Sequence, residues 1–339
     1  MSELATWLRP QLASLLQQRG HALLLSGPPG RGQYELALAL ARAWLCEQPT
    51  HNGACGQCPS CHAVDVRTHP DLFVLLPETL ALQLGWPLDE KTQDKIDKKE
   101  IKPSKYIRVD ATRHAVSFSQ TTRSRGHTKV ILIYPAESLN NESANTLLKT
   151  LEEPAGALRF VLATEAAHAL LPTIRSRCQT SALPWPDPTT AKAWLVQQLQ
   201  AEQNADTTTA DRRADIWLRA AGGRPQEALE WSRMVPSAQT WGELPKSVAQ
   251  GNGSAMAEWP VARQMDVLQK ICHDLMVTTA GGAPRFFEPQ DLPRSPGLAR
   301  LAEWQAELKS AASTMEHPFN AGLMQEAWML RARQALALH

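Results

Sequence analysis

The sequence predicts an α/β module built on a parallel sheet, followed by an all-helical C-terminal half. Three observations predict it. Short apolar runs recur through the N-terminal half (Ala22–Leu25, Leu72–Leu76, Val130–Ile133, Phe160–Ala163), each separated from the next by a helix-length segment. Strands that are apolar throughout and alternate with helices belong to a parallel sheet covered on both faces. Then Pro184-Trp-Pro-Asp-Pro188 places three prolines in five residues, which neither a helix interior nor a central strand accepts. Beyond that point the apolar residues keep helical spacing.

In order along the chain, residues 4–18 carry Trp7, Leu8, Leu12, Leu15 and Leu16 at helical spacing, with Gly20 as the expected cap. The first apolar run feeds a glycine-rich turn, Gly27-Pro-Pro-Gly30-Arg-Gly32, and Glu35–Ala43 reads as the following helix. Strand, glycine turn and helix start form a cradle in which backbone N–H groups surround an anion. The pattern G-x-x-x-x-G-K-[ST] is met at Gly27 and Gly32 and then departs. Gln33 stands at the lysine position and has no charge to set against phosphate. Tyr34 puts a ring where a short hydroxyl should meet magnesium. Hydrolases of this build also carry acids after a core strand. Here Val130–Ile133 is followed by Tyr134 and Pro135, and Glu137 reads as a solvated loop acid. The loop is expected to keep its form without productive ATP binding.

Cys46, Cys55, Cys58 and Cys61 follow C-x8-C-x2-C-x2-C spacing, among Gly53, Gly56 and Pro59. Soft thiolates at such spacing close a tetrahedral shell around Zn2+ with no open catalytic position. A structural zinc module over residues 46–61 is the expectation, with His51 and His62 as substitute ligands. Lys+Arg 35 against Asp+Glu 34 gives no global attraction to polyanions, so any such affinity must be local. Arg113, Arg123, Arg125, His127 and Lys129 are the local candidates for phosphate contacts; a solvated basic turn is the alternative. Pro77–Lys105 is polar and densest in charge at Asp89–Lys102, and reads as a solvated excursion. The first residues lack a signal-peptide pattern and no apolar run approaches the roughly 20 residues of a membrane span, so a cytoplasmic chain without membrane contact is expected.

Val109–Thr121 and Ser143–Leu151 read as helices, His168–Thr173 as a short one, and Thr180–Leu183 as a further strand. The C-terminal half gives helices at Thr190–Gln203, Thr209–Ala221 and Pro225–Met234. A Gly/Ser/Pro-rich interval follows, then Val261–Thr279, Gly297–Ser313 and Asn320–Leu338. No internal repeat is visible. After the apolar run Phe160–Ala163 and its short helix, Arg175-Ser-Arg177-Cys178 puts two arginines beside a strand edge. They are either solvated surface or a finger that reaches a neighbour's γ-phosphate in trans.

Several stretches together carry a family resemblance: Leu24-Leu-Ser-Gly-Pro-Pro-Gly30 with Gln33-Tyr34, the four cysteines, Thr68-His-Pro-Asp71, Asn145-Thr-Leu-Leu-Lys-Thr-Leu-Glu-Glu-Pro154, Leu162-Ala-Thr164 and Thr173-Ile-Arg-Ser-Arg-Cys178. Over nearly its whole length the chain resembles the delta-prime subunits of bacterial DNA polymerase III clamp loaders. The resemblance implies an AAA+ module, with a sheet domain over residues 1–184 that includes the zinc module, and a helical lid over 185–240. It implies a helical collar over 241–339 that assembles with gamma/tau and delta subunits. It further implies a stator without catalytic activity of its own, which lends Arg177 in trans to a neighbouring ATP site. Sliding clamp and primer–template DNA would be engaged through the assembled complex. Gln33, Tyr34 and Pro135 fit that family. Thr164 takes the polar sensor position, and Gly223-Arg-Pro-Gln226 stands where active lids carry Gly-x-Pro-Arg, so a further nucleotide contact is missing. Residues 89–102 are the main departure. Two rival readings are a self-sufficient ATPase with altered motifs and a zinc-dependent DNA-binding module.

Overall fold

The apolar runs become strands of one five-stranded parallel sheet in a computed structural model, which describes residues 4–203, 207–315 and 320–337. The N-terminal elements are α1 (Arg9–Leu16), β1 (Ala22–Ser26), α2 (Gln33–Leu45), α3 (Pro59–Asp65), β2 (Leu72–Leu75), α4 (Glu78–Leu84), α5 (Glu90–Asp97), α6 (Val109–Gln120), β3 (Lys129–Ile133), α7 (Asn141–Glu152), β4 (Leu158–Thr164), α8 (Pro172–Arg175) and β5 (Gln179–Ala182). The strand order is β2-β3-β4-β1-β5, and every pairing is parallel. Leu24 of β1 lies opposite Leu162 of β4 and Thr180 of β5. β1 therefore sits where the strand order reverses, and its C-terminal end is the crevice at which open α/β sheets bind ligands. The leucines of β1 and every residue of β3 are buried, as strands covered on both faces require.

The remaining elements are helices: α9 (Pro188–Gln203), α10 (Thr207–Ala220), α11 (Pro225–Met234), α12 (Ala238–Ala249), α13 (Val261–Thr279), α14 (Leu298–Thr314) and α15 (Ala321–Leu336). The chain divides into two compact units, Met1–Thr190 and Ala191–His339. Within the second, one apolar core draws on residues from Leu195 to Leu336, including Trp217, Trp231, Trp241 and Trp304. Trp231 and Trp241 meet edge to face at 5.0 Å, and Trp241 stacks on Phe287 at 4.8 Å. Such pairs add directional attraction to the area they bury.

Four expectations change. The helix over residues 4–18 is shorter, ending at Leu16 with Gln17 rather than Gly20 as its cap. The excursion over residues 77–105 contains helices α4 and α5. The Asp89 carboxylate caps α5 by accepting the Thr92 N–H at 3.0 Å, and no residue of α5 is buried. Residues 87–105 are solvated as expected, whereas Pro77, Glu78, Ala81 and Trp86 are buried; high polarity alone does not separate a solvated helix from a loop. The short helix expected at His168–Thr173 starts later, at Pro172. The Gly/Ser/Pro-rich interval holds α12, capped by Ser237 and carrying Pro245 inside it, with Trp241, Leu244 and Val248 buried. Leu338, the end of the last predicted helix, lies outside the described residues.

Candidate functional site

The glycine loop bonds to itself. Gly30 and Gly32 take φ of 81° and 92°, the left-handed region that favours glycine. From the start of α2, the buried Gln33 side chain turns back beneath the loop and donates to the carbonyls of Gly27 (2.6 Å) and Pro28 (2.8 Å). The Arg31 guanidinium donates to the Leu183 carbonyl and lies 4.0 Å above the Trp185 ring. It is held by the chain rather than turned toward the loop's opening.

The magnesium positions are aromatic. The Tyr34 hydroxyl accepts from Trp86 Nε1 at 2.6 Å, and its ring lies 5.3 Å from that of Tyr134. Tyr134 donates to Glu165 Oε1 at 2.7 Å. Glu137 is not the solvated acid suggested by the sequence. It is partly buried, and accepts from Thr164 Oγ1 at 2.7 Å and the Glu165 N–H at 2.9 Å. Burial pushes both phenols above the ordinary tyrosine range, with Glu165 adding to the effect at Tyr134. Groups that would face phosphate and metal in a hydrolase are here each other's partners. Trp86 and Glu165 escaped the sequence reading; the only local signal was an aromatic residue standing inside a polar stretch.

The four cysteines converge. Cys46 follows α2, Cys58 caps α3, and Cys61 lies in its first turn. The four Sγ atoms lie within 4.8 Å of one another, with Cys46–Cys58 at 3.8 Å and Cys55–Cys61 at 4.0 Å. A tetrahedral zinc shell with Zn–S near 2.3 Å has S···S edges of about 3.8 Å, so the donor set fits the ion in chemistry and in size. Backbone N–H groups of Cys55 and Cys61 point at Cys46 Sγ (3.3 Å) and Cys58 Sγ (3.4 Å). Hydrogen bonds from Gln57 and Cys58 lower the Cys55 thiol to about 6, while burial raises that of Cys61. His51 and His62 are exposed and are not in the converging set.

The arginines divide. Arg177 follows α8, its Nη1 donates to the Thr173 carbonyl at 2.8 Å, and its guanidinium pairs with Glu152 at the end of α7. Arg175 is exposed. Arg123 and Arg125 are exposed in the turn before β3, and Arg123 Nη1 donates to the His127 carbonyl at 2.6 Å. Lys129 does not stand on the surface with them. As the first residue of β3 it is buried, and its ammonium is bound by Phe118 O, Thr121 O (3.0 Å) and Thr121 Oγ1 (2.6 Å), capping the C-terminus of α6.

A family profile described as DNA polymerase III, delta subunit, matches residues 8–186. The DNA polymerase III subunit delta' of Escherichia coli is 31% identical over 285 residues, covering 78% of this chain and 76% of that one. The chain belongs to the delta' family of DNA polymerase III subunits. The delta' subunit of Pseudomonas aeruginosa is 40% identical over 185 residues, 55% of this chain. The match spans about half of that relative's own length (49%). A crystal structure of a gamma subunit-related protein from Thermotoga maritima superposes with a TM-score of 0.51 at 14% identity, over 97% of this chain and 99% of that one. The fold is thus an AAA+ module with a helical C-terminal region, in a DNA-replication family. Among the described residues no helix is long and apolar enough to cross a membrane.

Proposed function

We propose that this delta' chain is the non-hydrolysing stator of a replicative clamp loader. In this reading it assembles with gamma/tau and delta subunits and supplies Arg177 to a neighbour's ATP site. The observation that carries it is the inward bonding of Gln33 and Tyr34, which leaves the chain's own loop without a phosphate-binding cation or a metal-binding hydroxyl. A chain built this way contributes geometry and charge to chemistry done elsewhere. Arg177 suits that task, because a guanidinium presents a planar fork that matches paired phosphate oxygens as well as it matches a carboxylate. When the neighbour docks, Arg177 exchanges the Glu152 carboxylate for the γ-phosphate.

The rest of the reading follows the same division. Residues 185–240 serve as lid and 241–339 as collar, where exposed Leu298, Leu323 and Leu330 offer apolar surface to partner helices. Cys46, Cys55, Cys58 and Cys61 hold a structural zinc ion, whose ligation fixes a loop-rich segment with little apolar core. Arg123 and Arg125 contact primer–template phosphates once the complex and the sliding clamp surround DNA. The test is a reconstituted loader carrying Arg177→Ala. Assembly and zinc content should be unchanged, while DNA-stimulated ATP turnover falls. Trans arginine fingers contribute roughly 10³–10⁵ in rate; with several ATP sites sharing the work, a loss of about tenfold or more is expected. Arg177→Lys should rescue little. A complex that assembles normally and loads clamps at the wild-type rate removes the finger.

A further inference from the structure

A buried line of hydrogen bonds runs from the cysteine centre to the basic turn. Ser60 lies on α3 between Cys58 and Cys61 and is 1% exposed. Its hydroxyl donates to Glu47 Oε1 at 3.0 Å and lies 3.2 Å from His69 Nε2. His69 Nδ1 accepts the Asp71 N–H at 3.1 Å, which puts the ring proton on Nε2, so His69 donates to Ser60. Asp71 is fully buried. Its two carboxylate oxygens accept the successive N–H groups of Ser124 (2.8 Å) and Arg125 (2.7 Å), and its carbonyl accepts the Val130 N–H (2.9 Å) at the entry to β3. The motif Thr68-His-Pro-Asp71 therefore ties the segment that holds Cys58 and Cys61 to the backbone of the turn.

That turn has the chemistry of an anion site. Arg123, Arg125 and His127 are exposed, Gly126 takes φ of 58°, and no residue from 121 to 136 is acidic. The carboxylate beneath it, Asp71, is buried and spent on two backbone donors. The turn enters β3 at the strand's N-terminal end, whereas the glycine loop leaves β1 at its C-terminal end. In a parallel sheet these are opposite edges, so the turn is separate from the nucleotide-type site. Two guanidiniums on a free glycine-containing turn would lose much of their binding energy to ordering. The Asp71 clamp settles that cost in advance.

We propose that Ser60, His69 and Asp71 are positioning residues that make the turn Arg123–His127 a phosphate-binding surface dependent on the metal of the four-cysteine centre. The inference rests on the reading that Arg123 and Arg125 contact nucleic-acid phosphates, and adds its control. Metal at Cys58 and Cys61 fixes the first turn of α3, hence Ser60, hence the His69 ring and the Asp71 carboxylate. Coupling between two sites is reciprocal, so loosening the turn must also loosen the metal.

The full-length chain allows three readouts. Hydrogen exchange of peptides covering residues 121–130 should speed on zinc removal, by roughly 5–150-fold for a coupling of ordinary size, while β1 and β4 keep their protection. His69→Ala should give the same acceleration with zinc bound, and Ser60→Ala, a gentler change, a smaller one. In return, His69→Ala and Asp71→Asn should speed transfer of zinc to a chelator. Binding of a labelled primer–template duplex at low salt should weaken on zinc removal and in Arg123→Ala/Arg125→Ala, and zinc removal should add nothing in that double variant. Unchanged exchange at residues 121–130 when zinc leaves wild-type protein would overturn the coupling. If the exchange result holds but the double arginine variant binds DNA like wild type, the phosphate reading fails instead, and the surface proposal with it.

Discussion

The cysteine centre and the glycine loop begin from similar material and end differently. Both are short, glycine-containing segments at opposite ends of α2, and both match a known binding pattern in the sequence. In the first, four side chains converge with their Sγ atoms within 4.8 Å of one another, each still able to donate a lone pair to a common ion. In the second, the pattern's chemical positions are filled by groups that satisfy one another: Gln33 with the loop carbonyls, Tyr34 with Trp86, Tyr134 with Glu165, Thr164 with Glu137. A binding site is recognised by polar groups whose partners lie outside the protein. By that criterion the centre is a site, and the loop is part of the scaffold.

The largest expected effect follows from the first half of that contrast. Cys58→Ser should reduce zinc from about one ion per chain to none, since structural zinc in small modules contributes about 10–16 kcal/mol of apparent binding free energy. The damage should stay near residues 45–65, visible as faster proteolysis there with the sheet intact. Protein purified without chelators that contains no zinc by elemental analysis would erase the contrast.

Smaller effects should come from the loop side. Thr164 is fully buried and donates to Glu137, so Thr164→Val keeps the shape and removes a bond to a carboxylate. A loss of about 1.5–3 kcal/mol in denaturant unfolding is expected; an unchanged midpoint would mean the network does not hold the loop. Alkaline pH probes the same place. The folded-state values of Tyr34 and Tyr134 are raised, so their contribution to stability is complete below about pH 10, the ordinary tyrosine value, and is lost as pH climbs through the folded values. Two of the three tyrosines should therefore stay un-ionised in spectrophotometric titration until the protein unfolds, and Tyr134→Phe should flatten the alkaline fall in Tm. The smallest expected effect is on turnover. Gln33→Lys with Tyr34→Thr restores the loop's two groups, but Tyr134, Pro135 and Gln226 still replace the acids and the lid arginine. ATP hydrolysis by that variant should stay well below about 1 per second.

Legibility in the sequence tracked the range of the interactions. β3 and β4 were readable because four consecutive apolar residues suffice, and α11 and α13 because their apolar periodicity runs uninterrupted between clear ends. α12 was hidden by Pro245, which the helix accommodates around buried Trp241 and Leu244. The cysteine centre was legible since all its ligands fall within one short segment. The bond between Trp86 and Tyr34 joins residues 52 apart, and that of Asp71 to Arg125 joins residues 54 apart, so no local pattern announces either. By charge alone Lys129 belongs with the basic turn; its place at the head of a buried strand sends its ammonium to the carbonyls at the C-terminal end of α6 instead.

The central claim is that the loop holds itself closed, and equilibrium titration of the full-length, zinc-loaded chain with a fluorescent ATP analogue and magnesium tests it most directly. The predicted result is no saturable binding up to about 1 mM, a ceiling corresponding to roughly 4 kcal/mol. Saturable, magnesium-dependent binding with Kd near 1 μM, about 8 kcal/mol, that Gln33→Ala alters would show an open loop with outward-facing partners, and would contradict the claim.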